Sequence, residues 1–161
     1  MKTRRIEIDL SRQSLRLYEG RKLLRQYAVS TAARGAGEKN GSHRTPRGRH
    51  QVRAMIGAGA PEGAVFVSRR PTGEVCTEAL RARYPDRDWI LTRILWLSGL
   101  EPGRNRLADV DTMRRYIYLH GTPEGTELGK PGSHGCVRMG NADIAELFDL
   151  VKPGIEVDIH E

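Results

Sequence analysis

Residues 118–140 read YLHGTPEGTELGKPGSHGCVRMG, and this stretch governs how the rest of the chain is understood. His120 closes an alternating apolar run and is followed by Gly121. A loop rich in glycine and proline then leads to Ser133-His134-Gly135-Cys136, with Arg138 two residues beyond the cysteine. A thiol with an ordinary pKa of about 8.5 is mostly protonated at neutral pH. A neighbouring imidazole can take that proton and leave the more reactive thiolate. Charge pairing then predicts a thiolate–imidazolium pair in the resting protein. Gly135 beside Cys136 lets a substrate carbonyl approach the backbone, and a turn there can aim successive N–H groups at one oxyanion. The histidine precedes the cysteine by sixteen residues. Papain-like enzymes place the cysteine first and far upstream, so that pattern does not fit.

Working outward, Arg115 to His120 predicts a strand with Ile117 and Leu119 on one face and Tyr116, Tyr118 and His120 on the other. Asn141 is expected to cap a helix whose apolar residues fall at Ile144, Leu147, Phe148 and Val151. Lys152-Pro153-Gly154 ends it, and Ile155, Val157 and Ile159 alternate as a last strand. Towards the N-terminus, residues 4–10 and 14–18 alternate, Leu24 to Thr31 follows, and a meander of antiparallel strands is predicted. Residues 33–49 are a glycine-rich, charged loop containing Thr45-Pro46-Arg47-Gly48. His50 to Ile56, Ala64 to Ser68 and Trp89 to Leu97 are further strands, Glu78 to Tyr84 a short helix, and residues 99–112 a polar loop. Residues 70–112 are the least informative part. With no internal repeat, the chain is expected to form one mostly-β domain over residues 1–161, with one or two short helices.

Apolar residues make up 38% and charged residues 29%, the balance of a folded globular chain. No apolar run approaches the roughly 20 residues that span a bilayer. The first residues alternate instead of forming an apolar h-region, so a cytoplasmic location is expected, or a periplasmic one if the natural N-terminus is longer. The net charge of +7 suits either nucleic acid or a small polycarboxylate. The arginines are spread out with no aromatic-interleaved run, so no nucleic-acid partner is expected. Two cysteines without a leader read as reduced thiols. Cys76 lacks a histidine or glycine-rich context and reads as a bystander. His43 and His50, even with His134 and Cys136, give no metal-ligand spacing, so no metal and no cofactor is expected.

The segment resembles the L,D-transpeptidase catalytic domain (YkuD) family, whose signature is a His-Gly at a strand end, a loop, then Ser-His-Gly-Cys, a hydrophobic residue and Arg. Here these stand as His120-Gly121 and Ser133-His134-Gly135-Cys136-Val137-Arg138. The early hairpin, Gly41-Ser42 with Thr45-Pro46-Arg47-Gly48, and the last helix and strand extend the likeness. The resemblance implies a β-sandwich-type, mostly antiparallel domain. It implies Cys136 as nucleophile, His120 as base and Gly121 beside them. Ser133, His134, Gly135 and Arg138 are read as oxyanion and loop residues, with bracing favoured for Arg138. Tyr118 is read as pocket or core; Arg44, Arg47 and Arg49 are read as substrate-binding or solvated. The implied partner is a peptidoglycan stem peptide or muropeptide, cleaved between the diamino acid and the terminal D-Ala, with carbapenems as inhibitors. Action as an L,D-carboxypeptidase in murein recycling is the favoured expectation. Cross-linking L,D-transpeptidation is the alternative, and a non-catalytic muropeptide-binding module is the alternative of another class.

Overall fold

The alternating runs form strands because each buries one face, and ten of them hydrogen-bond into one sheet. The computed structural model describes residues 3–161. In chain order the strands are β1 (Arg4–Asp9), β2 (Ser14–Glu19), β3 (Lys22–Ser30), β4 (Gly48–Ile56), β5 (Ala64–Val67), β6 (Arg70–Val75), β7 (Ile90–Gly99), β8 (Tyr118–Gly121), β9 (Val137–Met139) and β10 (Glu156–His160). Helix α1 is Glu78–Arg83 and α2 is Asn141–Leu150. The spatial order is β4-β10-β1-β2-β3-β9-β8-β7-β5-β6, and β4 also pairs with β7. Eight strands therefore close into a barrel, and the β5–β6 hairpin extends from it.

Closure depends on β7, which serves three neighbours. Its first residues, Ile90 and Leu91, pair with β5; Ile94 to Gly99 pair with β4; its other edge pairs with β8. The change of partner falls at an irregularity between Leu91 and Ile94, where Thr92 has φ of +72°. Such a bulge bends a strand and increases its twist. The fold is mostly β with two short helices, as expected, but the two facing sheets of a sandwich are here one closed sheet. Two of its pairings, β1–β10 and β8–β9, are parallel.

Ile6 and Ile8, Leu15 and Leu17, Val29, Val52, Leu95 and Leu97, Leu119, Val137 and Met139, Val157 and Ile159 meet in one core inside this wall. Helix α2 adds Ile144 and Leu147 to it, which gives its apolar spacing a destination. A second, smaller cluster lies on the other side of β7 and β8: Ala64, Phe66, Ile94 and Tyr118, with Trp96 and Cys136 packed against it. Cys76 packs against a third cluster of Val65, Trp89 and Leu91.

Three local expectations differ from the structure. Residues before Tyr118 do not extend β8: Arg115 N–H donates to Asp111 O, Tyr116 N–H to Met113 O, and Tyr116 has φ of +57°. Alternation there reflects a turn that happens to bury Ile117. Asn141 is the first residue of α2 and Gly140 its cap, because the Asn141 side chain is engaged elsewhere. Strands β6 and β9 carry too little alternation to be seen in the sequence: β6 is largely exposed and β9 has three residues.

Candidate active site

Parallel pairing of β8 with β9 brings the two ends of the 118–140 segment together. Leu119 is in register with Val137 and His120 with Arg138. Neighbouring strands lie about 4.8 Å apart, and residues in register point to the same side. Leu119 and Val137 point into the core. His120, Arg138 and Tyr118 therefore point outward, and Cys136, two residues before Arg138, joins that face. All four line one cavity of about 410 Å³. Arg69, at the β5–β6 turn, lines it too, as do Asp88 and Arg115.

The imidazole of His120 is buried. Its Nδ1 lies 2.6 Å from Gly121 O. A carbonyl can only accept, so Nδ1 carries the ring proton and Nε2 keeps its lone pair. Burial pushes the His120 pKa below its ordinary value of 6.5, against an opposing contribution from that carbonyl. The Gly121 carbonyl is fixed by dense packing. A Cβ on Gly121 would lie 2.3 Å from Asn141 Oδ1 and 2.7 Å from Leu91 O. Thr92 Oγ1 donates to Asn141 Oδ1 at 2.6 Å and accepts from Gly63 N–H at 2.9 Å. These bonds hold the left-handed Thr92, a conformation rare for a β-branched residue.

The thiol of Cys136 donates to Tyr116 O and accepts from Tyr118 N–H, both at 3.3 Å. Desolvation pushes its pKa up to about 12, outweighing the lowering by the Tyr118 N–H and by Arg138 and Arg115. Burial therefore works against the thiolate–imidazolium pair expected at rest, on the thiol and on the imidazole alike. Burial penalises both charged forms, and no hydrogen bond joins the two side chains to offset it.

The loop before the thiol is braced from several sides. Ser133 Oγ donates to Cys136 O at 2.5 Å and accepts from Gly135 N–H at 3.2 Å. Thr45 Oγ1 donates to Gly135 O at 2.8 Å and accepts from Ala32 N–H. Gly135 has φ of +131°, open to glycine, and a Cβ there would press on Ile117 and Arg44 O. With Gly135 N–H occupied by Ser133, the N–H groups of His134 and Cys136 have no partner among the described residues. The His134 side chain is exposed, its ring edge-on to His43 at 6.0 Å. Arg138 donates to Gly132 O at 2.9 Å, the bracing arrangement, and approaches Asp88 at 3.9 Å.

The structure does not bring the three loop arginines to the cavity. Arg47 pairs with Glu38 and Glu161, and Arg49 with Glu156. Arg44 donates to Arg34 O and Ala36 O. Arg44 and Arg47 find partners inside the 33–49 loop itself, whereas Glu161 and Glu156 come from the last strand and the C-terminus, distant in sequence. The cavity instead takes Arg115 and Arg69. Arg115 donates to Arg44 O, Gly37 O and Glu38 O, tying the 33–49 loop to the site. His50 is buried far from this chemistry, its ring held between Gly48 O and Thr112 Oγ1. Among the described residues no three histidine, cysteine or acidic side chains cluster as metal ligands.

The L,D-transpeptidase catalytic domain (YkuD) family matches residues 3–159. The chain therefore belongs to the L,D-transpeptidase catalytic domain family of cysteine enzymes. It is 39% identical over 46 residues to a Bacillus licheniformis protein named L,D-transpeptidase YkuD, a match spanning 29% of this chain and 28% of that protein. In three dimensions it resembles an L,D-transpeptidase from Xylanimonas cellulosilytica, with TM-score 0.57 and 21% identity, covering 99% of this chain and 61% of the other. It also resembles the LD transpeptidase LdtMt1 solved in complex with imipenem, with TM-score 0.58 and 17% identity, covering 99% and 59%. The chain thus spans about 60% of the length of these solved relatives.

Proposed function

We propose that this site performs cysteine acyl transfer on peptidoglycan stem peptides, opening the bond between the L-centre of the diamino acid and the terminal D-Ala. The observation that carries the reading is that Cys136 shares one cavity with an imidazole whose proton is held on Nδ1 by Gly121 O. Substrate binding displaces water and lets the thiol turn from Tyr116 O towards His120. His120 Nε2 then takes the thiol proton as Sγ attacks the carbonyl carbon. The N–H groups of His134 and Cys136 hold the oxyanion. His120 returns the proton to the amine of the departing D-Ala, leaving a thioester on Cys136. Burial of both groups agrees with this order, because it disfavours the charged pair until bond formation begins.

Water resolves the thioester in our reading, which makes the enzyme an L,D-carboxypeptidase. Ser68, Asp88 and Tyr116 are exposed at the cavity rim, so bulk water has a path to the thioester. His120 takes a proton from that water, and the products are the tripeptide acid and the free thiol. With hydrolysis goes action on soluble muropeptides in the cytoplasm, as murein recycling requires. The same thioester formation makes Cys136 the site of acylation by carbapenems, in keeping with the relative solved with imipenem.

The test is incubation with a purified disaccharide tetrapeptide, with and without excess D-amino acid, read by mass spectrometry. Tripeptide and free D-Ala, absent with Cys136→Ala, are the expected products. Cross-linked dimers or D-amino-acid exchange as the main product would make the enzyme a transpeptidase. Binding without turnover would make it a muropeptide-binding module.

A further inference from the structure

We propose that Arg69, on the tip of the β5–β6 hairpin, is the guanidinium that grips a carboxylate of the stem peptide and sets the enzyme's preference for free-acid over amidated substrates. The inference rests on the function proposed above and names the group that selects the substrate.

Arg69 is held in an unusual way. It and Ser68 form the two-residue turn between β5 and β6, and both have positive φ, +64° and +48°. Such turns normally take glycine or asparagine, because other side chains are strained there. The guanidinium lies 4.6 Å over the Tyr116 ring and 5.0 Å over the Trp96 ring. It donates to Tyr118 Oη at 2.9 Å. Stacking orients the planar group and leaves its in-plane edges for hydrogen bonds. Of the cavity's arginines, Arg115 spends its donors on backbone carbonyls and Arg138 is committed to Gly132 O and Asp88. Arg69 has no carboxylate or carbonyl partner among the described residues; its one hydrogen bond goes to a neutral hydroxyl.

Tyr118 sets the distance between this cation and the chemistry. Its backbone N–H meets the Cys136 thiol and its hydroxyl meets Arg69, so the two lie one tyrosine side chain apart. That span suits a carboxylate a few bonds from the attacked carbonyl. Two groups of the donor peptide satisfy it: the carboxylate of the terminal D-Ala and the distal carboxylate of a dicarboxylic diamino acid. An unpaired, oriented guanidinium favours a bidentate carboxylate contact.

The experiment measures kcat and KM for Arg69→Met, Arg69→Lys and wild type on three tetrapeptides: the free acid, the D-Ala amide and the diamino-acid amide. The expected result is a KM for the free acid raised about tenfold or more by Arg69→Met, with kcat within about threefold, as loss of one charge-assisted contact predicts. Arg69→Lys recovers part of the loss. One amide shows the raised KM already in wild type and is insensitive to Arg69→Met, and it identifies the carboxylate. Arg69→Met affecting all three peptides equally, or none, overturns the inference while leaving the proposed function standing. If wild type cleaves none of the peptides, the proposed function fails and the inference falls with it. Thermal unfolding of each variant separates misfolding from lost binding, and Arg69→Lys keeps the test informative if Arg69→Met is unstable.

Discussion

The two faces of the β8–β9 wall carry opposite chemistries on the same few residues. Inward, Leu119, Val137 and Met139 are fully buried and belong to the main apolar core. Outward, Tyr118, His120, Cys136 and Arg138 alternate with them and line the cavity. One face holds the protein together and the other is free to react, because a strand turns successive residues to opposite sides. The barrel makes the reactive face rigid. Paired strands on both sides fix β8 and β9, so the thiol and imidazole are placed by backbone hydrogen bonds rather than by flexible loops alone.

The sharpest break between the faces comes from truncating one residue on each. Cys136→Ala and His120→Ala are expected to lower D-Ala release at least about a thousandfold, since each removes a reacting group, with urea unfolding close to wild type for Cys136→Ala. Leu119→Ala should do the reverse, costing about 2–5 kcal/mol of stability by cavity formation. Activity assays paired with urea curves separate the two; a Cys136→Ala protein that unfolds as easily as Leu119→Ala would erase the distinction.

Gly121 sits where the faces meet. Gly121→Ala drives a Cβ into Asn141 Oδ1 and Leu91 O, moving the carbonyl that holds His120. We expect kcat to fall about a hundredfold, in the range of losses from misplaced catalytic groups, with the barrel still folded by circular dichroism. Unchanged kcat would mean the carbonyl does not orient the base.

Two buried histidines extend the comparison to pH. His50 follows the inward alternation of β4 with Val52, and burial lowers its pKa to about 4. Its folded pKa lies below the unfolded value of 6.5, so the unfolded chain takes up the proton first. Stability is intact above about pH 6.5 and is lost as pH falls towards 4, by about 3 kcal/mol. Urea midpoints across that window measure it, and His50→Gln should flatten the curve. The outward His120 shifts in the same direction. The acid limb of kcat/KM should therefore lie below 6.5, and iodoacetamide modification of Cys136 should keep rising above pH 9. A thiol reacting fully at pH 7 would restore the charged resting pair.

The smallest effects belong to side chains outside both faces. Charge reversal at Arg47 or Arg49 breaks ion pairs with Glu38, Glu161 or Glu156 and should leave KM and kcat within about twofold, as exposed pairs contribute little. Cys76→Ala, in its own apolar cluster, should likewise keep activity. A large rise in KM for the arginine variants would return them to the substrate.

Much of this was legible from residues alone. Alternating or apolar runs placed β1 to β5 and β10, β-branched and aromatic residues placed β7, and the spacing of Ile144 and Leu147 placed α2. The segment from His120 to Cys136 singled out two candidate groups that the structure places in one cavity. Those features depend on neighbours along the chain, where period and residue type suffice. Alternation misled at Tyr116, whose left-handed backbone ends the strand, and it was silent on β6 and β9, which are too short or too exposed to carry a pattern.

Residue types and periods alone gave most of the strands, helix α2, the core-facing residues and the candidate pair His120 and Cys136. The tertiary structure was needed to show that the sheet closes, that Arg69 and Arg115 reach the cavity while Arg47 and Arg49 do not, and that burial pushes the Cys136 thiol up. The physical reason is range. Periodicity is a local property of the chain, whereas strand closure, the choice of partner for a guanidinium and the desolvation of a thiol depend on groups brought together from distant positions.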